Sequence, residues 1–144
     1  MTISQDIEAL VRRLEALLRS GDVAGCTSLY SEDGVIYSFA EPSVARGRPG
    51  IEAMHRCWLD VGEINQYIFV HDARMEGDLG YCAAMWRADS PQDDGSHIPA
   101  AGTVLCALKR RSDGVLQFHT SSLTIGTVAN FYAPSFFWLV EPSL

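Results

Sequence analysis

From residue 64 onward the chain reads as strand after strand, with runs at about 64–76, 79–89, 102–111 and 115–123. Each run ends on residues that favour reversal: Glu76-Gly77-Asp78, the segment PQDDG, and Ser112-Asp113-Gly114. Asp-Gly between two alternating runs is a strong hairpin signal. A meander of this length has one apolar face to bury, and the first sixty residues supply the cover. Over 4–20, Ile7, Leu10, Val11, Leu14, Leu17 and Leu18 recur at helical spacing, with Arg12, Arg13, Glu15 and Arg19 on the wet face. Ser4 can cap that helix and Gly21 can close it. Asp22 caps a short second helix carrying Val23, Cys26, Leu29 and Tyr30 on one face.

Glu32-Asp33-Gly34 is predicted as a turn, Val35 to Phe39 as a strand, and EPSVARGRPG as a loop. Pro49 suits the first turn of a third helix, where its missing N–H costs nothing. That helix runs to about Asp60 and carries Ile51, Met54, His55 and Trp58 on one face. Helices followed by a run of strands predict an α+β fold. The 144 residues, without internal repeat or linker, fit one domain.

Composition narrows the function classes. With 47% hydrophobic and 20% charged residues the chain is expected to be globular and soluble. A net charge of −7 argues against nucleic acid or an anionic membrane as the main partner. The basic run Lys109-Arg110-Arg111 borders a turn and reads as a solvated strand end. Cys26, Cys57, Cys82 and Cys106 form no C-x-x-C pair, and each lies in an apolar stretch. They read as small core residues in a reducing compartment. No signal peptide or membrane span is visible, so the expected location is cytoplasmic. The four histidines occur singly, without the spacing of a metal site, and no glycine-rich phosphate loop follows a strand.

The order of elements, and the residues at their joints, resemble the nuclear transport factor 2-like superfamily, which includes ketosteroid isomerase-like and SnoaL-like proteins. Ser20-Gly21-Asp22 followed by Leu29-Tyr30-Ser31-Glu32-Asp33 resembles one family element, and Arg46-Gly47-Arg48 with Gly50-Ile51 resembles its helix start. Gly77-Asp78 with Trp86-Arg87, and Asp113-Gly114 with His119-Thr120-Ser121, resemble its later strands. The likeness covers residues 5–123. It implies a cone-shaped α+β barrel, helices packed on a curved antiparallel sheet, with a pocket inside and a homodimer joined through the outer sheet face.

Isomerases of that family hold an Asp base, a Tyr and a protonated Asp in one apolar pocket. Here the matching positions are Ser38, a site near Leu14, and Val104 or Leu105, so that route to enolisation is missing. His55 falls where relatives place a pocket tyrosine. Alternation along 64–76 puts Tyr67, Phe69, His71, Ala73 and Met75 on one face, which as the more aromatic one is expected to line the cone. His55, His71 and Tyr67 are thus the candidate catalytic groups. Tyr30, Ser38, Met54, Trp58, Phe69, Phe118 and Thr120 are candidate substrate contacts. On the last strand Leu116 and Phe118 point inward, which sends Thr120 and Ser122 in and His119 and Ser121 out. A bulge would exchange those faces.

Two functions from different classes follow. One is a cofactor-independent enzyme that moves protons on a small apolar or polycyclic molecule, as an isomerase, cyclase, dehydratase or epoxide hydrolase. The other is a non-catalytic ligand carrier or dimerising scaffold. The segment 126–144 carries Phe131, Tyr132, Phe136, Phe137 and Trp138 with Glu141 its only charge. Rings that bury ~150–250 Å² each are expected to pack, with Phe136 and Trp138 closing the pocket as a lid or adding to core or dimer packing.

Overall fold

The computed structural model describes residues 3–40, 42–60, 62 and 64–126. Helix α1 (Gln5–Ser20) starts on Ser4, whose hydroxyl accepts from Ile7 N–H, and ends on Gly21 at φ 72°, a left-handed cap. Helix α2 (Val23–Ser28) is capped by Asp22, whose carboxylate accepts from Gly25 N–H at 2.8 Å. Helix α3 spans Gly47–Asp60 and buries Ile51, Met54 and His55.

Six strands follow the order β2-β1-β6-β5-β4-β3 in one sheet. They are β1 (Tyr30–Tyr37), β2 (Val44–Arg46), β3 (Ile64–Glu76), β4 (Leu79–Pro91), β5 (His97–Arg110) and β6 (Leu116–Leu123). The fold is α+β, as expected, and the sheet is open rather than closed, with β2 and β3 at its edges. The sheet is mixed, because β1 runs parallel to β6. The segment expected to be a loop contains β2, which pairs with β1. Glu32-Asp33-Gly34, expected to be a turn, lies inside β1 where its register against β6 shifts between Tyr30 and Val35. A turn signal and a strand bulge use the same residues, which is why the two were confused. Gly34 suits the close packing there: a Cβ would lie 3.0 Å from Ser31 O and 3.2 Å from His119 O, tighter than most such contacts.

The core lies between the helices and the inner sheet face. Ile7, Ile36, Ile51, Met54, Leu108 and Phe118 are its largest fully buried apolar side chains. All four cysteines are free; three are buried, while Cys57 is on the wet face of α3, contrary to expectation.

The edge strand β3 is covered by side chains of α1. Glu15, 7% exposed, accepts from Ile68 N–H at 2.7 Å and from the Arg12 guanidinium at 3.0 and 3.1 Å. Arg12 also donates to Ile68 O, and Arg19 Nε donates to Gln66 O at 2.8 Å. An open strand edge templates further pairing, and this Arg-Glu-Arg ladder occupies it.

Two bulges decide which side chains face inward. On β3, Val70 pairs with Ala84 and Asp72 with Ala83, so His71 has no residue opposite. On β6, Phe118 pairs with Leu108 and Thr120 with Ala107, so His119 is the extra residue. Each bulge reverses the strict alternation from which faces were predicted.

Candidate active site

A cavity of about 130 Å³ lies between α1, α3 and the inner sheet face. Helical spacing turns Val11, Leu14 and Leu18 of α1 onto one wall. His55 and Trp58, three residues apart on α3, form another. The sheet contributes Cys82, Ala84, Trp86 and Ala88 from β4, Val104 and Cys106 from β5, and Phe118, Ser121 and Leu123 from β6. Tyr30 enters from β1 and Gln66, Tyr67 and Ile68 from β3. Phe39 completes one side, stacked on Trp86 at 5.6 Å between ring centroids. Trp86 is itself fixed by donating Nε1–H to Thr124 O at 3.0 Å. Gly102 makes room for that bond, because a Cβ there would collide with Thr124 O and lie 2.8 Å from Trp86 Nε1.

The polar groups are few and oriented. The Tyr30 hydroxyl bonds Ser121 Oγ at 3.0 Å, and Ser121 Oγ lies 3.3 Å from Cys106 Sγ. Desolvation holds the Tyr30 phenol well above its ordinary range and the thiols of Cys82 and Cys106 at about 12 and about 11. All three stay protonated at pH 7. His55, 1% exposed, is pushed down from 6.5 to about 4 by desolvation. Its Nδ1 lies 3.3 Å from Thr27 Oγ1, and that hydroxyl donates its one hydrogen to Val23 O at 2.9 Å. Thr27 must therefore accept from His55, which puts the proton on Nδ1 and leaves Nε2 with a lone pair. The His55 ring sits 5.7 Å from that of Tyr30 and edge-on to Trp58 at 5.5 Å. Arg87 is the one ionised side chain along the wall among the described residues, and it is 40% exposed. Among the described residues the interior can accept or donate hydrogen bonds but carries no carboxylate.

The structure brings His55, Tyr67, Tyr30, Trp58 and Phe118 to this cavity and leaves several predicted residues out. His71 does not line it: as a bulge residue it left the alternation that was to aim it inward. Its Nε2 is buried with no protein partner among the described residues. Tyr67 and Phe69 precede the bulge and so lie on the opposite phase from Ala73 and Met75; they are 42% and 55% exposed, and only Tyr67 reaches the cavity rim. Thr120 is replaced by Ser121, because the bulge at His119 shifts the inward position by one. His119 stays outside the cavity, with Nδ1 2.8 Å from Ser31 Oγ and 3.6 Å from Asp33 Oδ1. Met54 is fully buried in the core, and Ser38 sits at the β1–β2 reversal. Phe136 and Trp138 lie outside the described residues.

Sequence reasoning missed Ser121, Gln66, Phe39 and Trp86. Only Trp86 carried a signal, as a large aromatic in an alternating strand. Among the described residues no three His, Cys, Asp or Glu side chains converge as metal ligands, and no helix is long and apolar enough to cross a membrane.

The sequence matches no family model and no curated protein sequence. Solved structures do resemble it. A ketosteroid isomerase-like protein from Erwinia carotovora atroseptica superposes with a TM-score of 0.74 at 16% identity, over 83% of this chain and 92% of that one. A nuclear transport factor 2-like protein with a cystatin-like fold from Novosphingobium aromaticivorans gives 0.67 at 19% identity, over 94% and 87%. A Xanthomonas campestris protein described as a calcium/calmodulin-dependent protein kinase II association domain gives 0.75 at 18%, over 88% and 89%. At these identities the likeness is one of architecture, and it spans neighbours with unlike descriptions. The chain has an α+β, cystatin-like fold, which it shares with these ketosteroid isomerase-like and nuclear transport factor 2-like structures.

Proposed function

We propose that the protein binds a small, uncharged, largely apolar molecule in the cavity between α1, α3 and the inner sheet face. The character of its interior polar groups supports this best: Tyr30, Ser121 and His55 are neutral at pH 7 and each is already held by a protein partner. Such a site rewards apolar surface and one or two hydrogen bonds, and it penalises a buried charge. Room of about 130 Å³ suits a single ring, since a dry cavity of similar size takes up one benzene. A polycyclic ligand must extend past Tyr67 and Phe39 into solvent. Mass spectrometry of the denatured protein should release a neutral co-purified compound, and Tyr30→Phe should weaken a ketone or alcohol about fivefold to tenfold, or ~1 kcal/mol. Unchanged affinity in Tyr30→Phe would remove that hydroxyl from the site.

A second reading, acid–base turnover, is favoured by the Thr27–His55 bond, which orients the ring as a base is oriented. With a pKa of about 4, His55 Nε2 is unprotonated at neutral pH but weak, so only an acidic C–H or an activated leaving group suits it. Likeness to a ketosteroid isomerase-like structure supports this by analogy alone. Deuterium uptake from D2O into a small cyclic ketone, abolished in His55→Gln, would establish it; exchange at the buffer rate would end it.

A homodimer belongs to the same proposal. Phe69, Tyr81 and Leu105 share the outer sheet face and are 55%, 38% and 58% exposed. Sedimentation equilibrium showing only a 15.8 kDa species at micromolar concentration would exclude the dimer.

A further inference from the structure

Gln66 is 8% exposed and lines the cavity, yet its Oε1 is buried without a hydrogen-bond partner among the described residues. The other interior polar groups differ: the Tyr30 and Ser121 hydroxyls bond each other, and His55 bonds Thr27. Buried amide oxygens in native proteins are almost always satisfied, so an orphan on a cavity-lining residue marks a place for a partner the protein does not supply. The backbone that carries it is held in place. Arg19 Nε holds the Gln66 carbonyl, and Glu15 and Arg12 hold both backbone groups of Ile68 two residues on. The strand that bears the amide is thus clamped to α1.

We propose that Gln66 is the residue that orients the ligand, its Oε1 accepting a hydrogen bond from a hydroxyl or N–H carried on the ring. This inference rests on the binding reading above and adds a chemical requirement to it. The Tyr30 and Ser121 hydroxyls bond each other and His55 Nδ1 bonds Thr27, so on that side only His55 Nε2 is left as an acceptor. Gln66 is an unpaired acceptor on a different wall, and Arg19 stacked 4.5 Å over Tyr67 sits beside it. The favoured ligand class is therefore a single ring with a hydrogen-bond donor, a phenol or cyclic alcohol rather than a bare hydrocarbon. A site built around an unpaired acceptor rejects the analogue that lacks the donor, because the acceptor then stays unpaired.

Phenol and benzene titrated by calorimetry at pH 7, into wild-type protein and Gln66→Leu, test it. Wild type should prefer phenol about tenfold or more over benzene. Gln66→Leu should lose that preference while binding benzene at least as well. The ligand-free melting temperature of Gln66→Leu should equal or exceed wild type, because an orphan acceptor is replaced by apolar atoms of similar shape. A phenol preference that survives in Gln66→Leu but disappears in Tyr30→Phe overturns the proposal and leaves the cavity reading intact. A melting temperature several degrees lower in ligand-free Gln66→Leu also overturns it, since the amide would then have a partner. Failure of both compounds to bind wild type overturns this inference and the binding reading together.

Discussion

Strands β4 and β5 pair without interruption from Leu79 against Lys109 to Pro91 against His97, whereas β3 and β6 each carry a bulge in the middle, at His71 and His119. The difference separates two jobs within one sheet. The straight ladder is a rigid wall in which Cys82, Ala84, Trp86 and Ala88 line the cavity by strict alternation. The bulged strands re-aim side chains: one extra residue before Ser121 brings its hydroxyl to Tyr30, and one before Ala73 keeps His71 out of the cavity. Regular pairing builds the container and irregular pairing chooses the polar contents.

The largest effect should come from shortening each kind of strand by one residue. Deleting Leu105 from β5 would turn Cys106 and Leu108 outward and Lys109 inward, and no cooperative unfolding transition should remain. Deleting His119 removes the unpaired residue and restores alternation from Phe118 through Ser121, so a cooperative melt should persist, lowered by ~1–3 kcal/mol. Equal damage from the two deletions, by circular dichroism, would erase the distinction.

The histidines sharpen the same contrast. His55 is depressed from 6.5 to about 4 in the folded state, so between those pH values the unfolded chain binds more protons than the folded one. Stability is full above pH 6.5 and should fall by about 3 kcal/mol at most as the pH drops to 4. His55→Gln should flatten that part of the profile of urea midpoints against pH. A profile unaltered by His55→Gln would mean that the ring is not desolvated.

Edge β3 also depends on side chains where β4 and β5 depend on each other. Glu15→Ala strips the acceptor from Ile68 N–H and should cost about 2 kcal/mol by chemical denaturation. An effect within ±0.5 kcal/mol, as for an ordinary surface position, would show that the ladder on α1 merely decorates the edge. Smallest is the face test on β6. Ser121→Ala should cost ~1 kcal/mol, while Thr120→Ala stays near neutral. The reverse ranking would put the bulge elsewhere.

These contrasts also explain what the amino-acid order revealed. Helix starts and stops were legible because Ser4, Gly21 and Asp22 act through local chemistry. The Asp113-Gly114 hairpin was legible for the same reason. Inward residues were misassigned on β3 before His71 and on β6 after His119, because a bulge is a relation between two strands and leaves no mark in one. Glu32-Asp33-Gly34 looked like a chain reversal because the residues that turn a chain also bulge it. His55 and Trp58 were legible from helical spacing, whereas Gln66 and Ser121 gain their meaning only from what they face. Nothing in the order of residues reveals that one amide lacks a partner and the other hydroxyl has one.

The most direct test of the central claim is a titration of 15N-labelled protein with phenol at pH 7, followed by amide and indole chemical shifts. A ring bound in the cavity should give saturable shifts at His55, Gln66, Ser121 and the Trp58 and Trp86 indoles, with none around His119 and Ser31. Absence of saturable shifts, or shifts centred on His119, Ser31 and Asp33, would contradict that claim.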